Sequence, residues 1–131
     1  MKENKIKIII NRPIDVVFEF TTNPKNTHLW IASVKEEIAE VYPPIIGTKY
    51  KNRGIESVWS YYQVLSFEKD NLFVLSDLEE DYHVKYTYKQ TEKDVTELEY
   101  FEWSTTGELK NPFSKNHLLR LKAILEDVIQ R

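Results

Sequence analysis

Three histidines, eight tyrosines and twenty-one carboxylates are the groups with which this chain could move protons, and it has no cysteine. Thiol nucleophiles, thiolate metal sites and disulfides are therefore excluded. His28, His83 and His117 lack the close spacing that brings imidazoles onto one metal ion, so no metal is expected, and nothing in the sequence asks for a cofactor. Ser114 and His117 stand near each other without an acid to orient the imidazole, and there is no nucleophile elbow. What remains is general acid/base chemistry on a bound molecule by Glu102, His117 or a tyrosine. All eight tyrosines fall between Tyr42 and Tyr100, and aromatic residues make up 13% of the chain. That half of the protein is lined with rings.

Strand parity says which of these groups share a face. In "DYHVKYTYKQ" (81–90) His83, Lys85, Thr87 and Lys89 form the polar set, which turns Tyr82, Val84, Tyr86 and Tyr88 inward. In "VTELEYFEW" (95–103) Glu97 and Glu99 point out, which turns Leu98, Tyr100 and Glu102 inward. Glu102 is then a carboxylate on the ring-lined face, unless a bulge at the strand end carries it to solvent. In "ESVWSYYQVLSF" (56–67) the bulkier set is Trp59, Tyr61, Gln63, Leu65 and Phe67, taken as inward, and twelve extended residues must bend or bulge. Buried tyrosines and tryptophans also serve as plain core, so each ring has a packing reading beside the ligand-binding one.

These strands belong to a simple order of elements. "KIKIIIN" (5–11) is a β-branched strand; "PIDVVFEFTT" follows as a two-turn helix with Ile14, Val17, Phe18 and Thr21 on one face. Asn23-Pro24 ends that helix, and Pro24 opens a second short one reaching toward Trp30. From residue 32 the pattern is that of strands, with Val34, Ile38 and Val41 as the apolar set of the first and the charges of "KEEIAE" read as a solvated face. The final segment, opening at Asn111-Pro112, is a helix from about Pro112 to Ile129. Its apolar arc holds Phe113, His117, Leu118, Leu121, Ile124, Leu125, Val128 and Ile129, with Leu119 the exception. His117 sits between Phe113 and Leu121, so its ring should face the sheet.

Strand, two small helices, six strands, one long helix: in this order, the chain resembles the START-like, Bet v 1-like superfamily, particularly its polyketide cyclase/dehydrase and lipid-transport branch. The resemblance rests on "RPIDVVFEF" after the first strand, the "NPKN" break, Trp30, "GTKY", "VLSFEKDNLFVL" and the amphipathic helix after "TTGELKNPF". It implies an α+β helix-grip fold, a curved antiparallel sheet of about seven strands around the C-terminal helix, with the two small helices closing one end of a cavity. The length of 131 residues suits one domain, so a single domain over residues 1–131 is expected. Plant members carry a glycine-rich loop where this chain reads "YPPIIGTKY", so no phosphate-cradling loop is inferred.

The expected function is to bind a small hydrophobic or aromatic molecule, as carrier or sensor, in that cavity. Its expected lining is Trp30, Trp59, Tyr61, Tyr86, Tyr88, Leu98, Tyr100, Glu102, Phe113, His117 and Leu121. Two other functions stay open: a cyclase/dehydratase that uses Glu102 and His117 in the same cavity, and a protein-binding module of the chaperone-activator type, which would have a filled interior. The net charge of −3 is spread in mixed-sign pieces, which excludes the basic stripe of a nucleic-acid binder. "MKENKIKIII" is too short an apolar run for a signal-peptide core or a membrane span, so a soluble cytoplasmic protein is expected.

Overall fold

A computed structural model describes residues 2–56 and 58–129, the side chains of residues 128 and 129 excepted. The β-branched opening forms strand β1 (Glu3–Ile10); helix α1 (Ile14–Thr22), a 3₁₀ turn (Pro24–Asn26) and helix α2 (Thr27–Trp30) follow. The strands β2 (Glu36–Ala39), β3 (Lys49–Arg53), β4 (Trp59–Glu68), β5 (Leu72–Asp77), β6 (Tyr82–Glu92) and β7 (Val95–Ser104) lead to helix α3 (Lys115–Ile129). All seven strands form one antiparallel sheet in the order β1-β7-β6-β5-β4-β3-β2. This is the helix-grip arrangement, with α3 lying on the sheet against β1 and α2.

The break between the small helices follows from local chemistry. Asn23 leaves the helical region at φ −76°, ψ 119°, and its side chain accepts from the Lys25 N–H, so one asparagine ends α1 and caps the turn after it. Val17 and Phe18 of α1 are buried, and Thr21 Oγ1 meets the Tyr88 hydroxyl at 2.6 Å. The Tyr50 hydroxyl donates to the Thr22 carbonyl at 3.0 Å. The α1 end of the interior is thus plugged by Phe18, which packs on Phe67 and Tyr88 with ring centroids 5.1 and 4.9 Å away.

The start of α3 differs from expectation. The helix begins at Lys115 and not Pro112, because the backbone around Phe113 has other partners. Its N–H donates to Glu102 Oε2 at 2.5 Å and its carbonyl accepts from Asn4 Nδ2 at 2.9 Å. Ser114 Oγ instead accepts from the Asn116 N–H, as an N-cap does. Leu118, Leu121 and Leu125 are buried and Leu119 is 47% exposed, as the arc requires; the side chains of Val128 and Ile129 lie outside the described residues.

The sheet also corrects two parities. A bulge between Val64 and Ser66 reverses the alternation in β4. Before the bulge Tyr62 and Val64 face inward, while Trp59 and Tyr61 lie on the outer face, Tyr61 47% exposed and Trp59 under the Lys51 ammonium; beyond it Phe67 is inward. In β2 Ile38 is the outward residue at 41% exposure, and Glu37 turns inward opposite Asn52.

Candidate functional site

A cavity of about 330 Å³ lies between the middle strands, α2 and the segment that leads into α3. One wall is aromatic. Trp30 is 1% exposed and meets the edges of Tyr86 and Phe113 at centroid distances of 6.4 and 6.0 Å. Phe113 in turn stacks on Tyr100 at 4.0 Å, and Tyr86 meets Tyr100 edge-on at 5.3 Å. These rings come from α2, β6, β7 and the α3 approach, so the wall exists only once the sheet has closed on the helix. Gly54 lies at the rim, where a Cβ would stand 3.0 Å from the Ser33 carbonyl. A larger residue there would press the β3–β4 loop away from the loop after α2.

Two carboxylates reach this cavity, and they are held differently. Glu102 is 1% exposed and receives four donors: the Tyr82 hydroxyl at 2.5 Å, the Tyr100 hydroxyl at 3.4 Å, Asn4 Nδ2 at 2.8 Å and the Phe113 N–H at 2.5 Å. A carboxylate offers about four acceptor sites, so these are filled. Glu37 receives two donors, Thr27 Oγ1 at 2.6 Å and Asn52 Nδ2 at 3.1 Å. Burial raises its pKa above the ordinary carboxylate range, and the two hydrogen bonds oppose that rise. About half of its acceptor capacity is open. The remaining polar group of note is the Trp30 indole N–H, buried and without a hydrogen-bond partner among the described residues.

The tyrosines are neutral hydroxyls here. Burial raises the pKa of Tyr62, Tyr82, Tyr86 and Tyr100, and for Tyr82 the hydrogen bond to Glu102 adds to the rise. None is poised as a base near neutral pH. Arg53 is the cationic residue among the described residues lining the cavity, but its Nε donates to Glu36 at 3.0 Å and its guanidinium lies 5.6 Å from the Trp59 ring on the outer face. Beyond Tyr82 and Glu102 a second recess of about 430 Å³ opens, with Asp77 and Asp81 in its wall.

Of the residues expected at the site, Trp30, Tyr86, Tyr100, Glu102 and Phe113 are brought together around the cavity. Tyr88, Leu98 and Leu121 are buried in the core away from it. His117 is half-buried with its ring 4.6 Å from Phe113, and it is neither in the cavity lining nor among the donors to Glu102. Trp59 and Tyr61 are on the outer face, for the reason given by the bulge. Among the lining residues that sequence reasoning missed are Glu37, with its partners Thr27 and Asn52, Tyr62, and Phe73 and Leu75 of β5. The signal for Glu37 was slight: Thr27, Glu37 and Asn52 are an ordinary set until β2 and β3 pair.

No protein-family model matches the chain, and no curated protein matches its sequence. Solved structures do match in shape. The Aha1 dimer from Colwellia psychrerythraea superposes with a TM-score of 0.70 at 14% identity, over 96% of this chain and 97% of that one. A START superfamily protein from Mycobacterium smegmatis gives 0.72 at 10% identity, over 98% and 99%. The di-domain ARO/CYC protein BexL from the BE-7585A biosynthetic pathway gives 0.76 at 9% identity, over 100% of this chain and 48% of that one. At such identities the likeness concerns the backbone, and together with the strand order and the gripped helix it establishes that this chain has the START-like, Bet v 1-like fold.

Proposed function

We propose that the protein binds a small, flat, largely apolar molecule in the cavity behind Trp30, as a carrier or sensor without turnover. The observation that carries this reading is the space itself, about 330 Å³ walled by Trp30, Tyr86, Tyr100 and Phe113. Pockets of this size with a ring-lined wall and a few polar groups suit small-molecule recognition. The expected acid/base pair does not support catalysis: the acceptor sites of Glu102 are filled and His117 stands outside the cavity lining. A protein-binding module calls for a filled interior, and the open space argues for a ligand instead.

A second reading has one observation in its favour. Glu37 is a carboxyl in the cavity whose pKa is raised by burial, as general acids and bases often are, so a cyclase- or dehydratase-type reaction would run through Glu37. The BexL neighbour is named as an ARO/CYC protein, which suits that reading at the level of fold alone.

The test is titration with Prodan, an uncharged bicyclic dye that brightens in apolar surroundings. Saturable one-to-one binding is expected, together with its loss in Leu75→Trp, which fills the cavity from its β5 wall while circular dichroism stays native. Absence of saturable binding by the wild-type protein would overturn the proposal.

A further inference from the structure

The cavity's polar groups restrict what can enter it, and this inference rests on the binding function proposed above. Glu37 lines the cavity with unfilled acceptor sites and is held in place by Thr27 and Asn52. Glu102 adds a second carboxyl group to the same cavity from β7, with its lone pairs already committed to Tyr82, Tyr100, Asn4 and Phe113. Arg53 offers no compensating charge inside, because Glu36 and the Trp59 ring hold its guanidinium on the outer face.

We infer that the ligand is a flat aromatic molecule with an amine or N–H donor for Glu37 and no negative charge. A ligand carboxylate would enter a space lined by two acidic groups and, among the described residues, no cation turned inward. The ligand class is thus cationic or neutral, and organic acids, fatty acids included, are rejected. Glu37 and not Glu102 is the binding carboxylate, since only Glu37 can receive a new donor without breaking an existing hydrogen bond. Glu102 acts on the site by positioning: it holds Phe113, whose ring forms part of the wall.

Three bicyclic probes with a common ring nitrogen separate the possibilities: quinoline-3-methanamine, quinoline-3-methanol and quinoline-3-carboxylate. Binding is followed by NMR on the three tryptophan indole N–H resonances, assigned with single Trp→Phe variants. The expected result is that the amine and the alcohol move the Trp30 resonance and leave Trp59 and Trp103 in place, while the carboxylate binds at least about 10-fold more weakly than the amine. In Glu37→Gln the preference for amine over carboxylate should shrink by about 10-fold, whereas Glu99→Gln, on the outer face of β7 beside Lys7, should keep it. Equal binding of all three probes at Trp30 would overturn the charge rule and leave cavity binding standing. Binding of Prodan with no binding of any quinoline would do the same. Failure of Prodan and all three quinolines would overturn both readings.

Discussion

At the scale of single residues, the two cavity carboxyls make opposite predictions. Glu102 accepts from the Tyr82 hydroxyl, Asn4 and the Phe113 backbone, three groups from β6, β1 and the α3 approach. Glu102→Ala strands these donors in a buried place, and at roughly 1–3 kcal/mol for each unsatisfied group the loss should reach at least about 3 kcal/mol. Urea denaturation would measure it, and a loss under about 1 kcal/mol would mean that water replaces the carboxylate. Tyr82→Phe removes one of the four donors to this buried carboxyl and should cost about 1–3 kcal/mol on the same assay.

Glu37 behaves differently because burial raises its folded-state pKa above the unfolded value. A carboxyl whose pKa is raised in this way binds its proton more tightly when folded, so its contribution to stability is complete below the unfolded pKa and is lost as pH rises through the folded one. From this group alone, stability should therefore fall between about pH 4.5, the ordinary value, and the raised pKa. Glu37→Gln keeps an acceptor for Thr27 and cannot ionise; the variant should gain stability relative to wild type as pH rises across that window, by up to about 1.4 kcal/mol for each pH unit crossed. Thermal melts from about pH 4 to pH 8 would show it as two curves that separate upward. Parallel curves would mean that Glu37 is effectively solvated through the cavity.

At the scale of elements, α3 shows how far a helical pattern can be trusted. Its arc correctly separates buried Leu118, Leu121 and Leu125 from exposed Leu119. Leu121→Ala should cost about 2–5 kcal/mol and Leu119→Ala within about 0.5 kcal/mol, by the same denaturation assay. The first turn was illegible because Phe113 is claimed by Glu102, a contact 11 residues back along the chain that no wheel projection contains. The strands divide in the same way. Parity holds for Tyr86, Tyr88, Leu98, Tyr100 and Glu102, where β6 and β7 pair without interruption from Tyr82 to Gln90. It failed in β4, where rings occupy both faces and the bulge after Val64 moves Phe67 to the inner side while Trp59 and Tyr61 stay outside. It failed again in β2, a four-residue edge strand, where the apolar residue goes out and the carboxylate goes in. A pattern built on hydrophobic burial cannot anticipate an inward acid whose surroundings are assembled from Thr27 and Asn52.

At the scale of the whole molecule, the cavity and the global fold are one structure. The wall groups Trp30, Tyr86, Tyr100 and Phe113 come from segments far apart in sequence, and the β1–β7 pairing that brings Asn4 to Glu102 spans 98 residues. A site made of such long-range contacts cannot survive partial unfolding of the sheet, so a ligand that fills it stabilises the native state as a unit. At a free ligand concentration of about 100 times Kd the gain should be about 2.7 kcal/mol, seen as a matching rise in the free energy of unfolding. Quinoline-3-methanamine is the probe, and the wild-type protein should show this gain while Leu75→Trp shows none. Hydrogen exchange locates the effect: amides of β6 and β7 that exchange only through global unfolding should slow by the same factor as each other. Slowing confined to α2 and the rim, with β6 and β7 unchanged, would mean that the probe binds at the mouth and leaves the interior untouched.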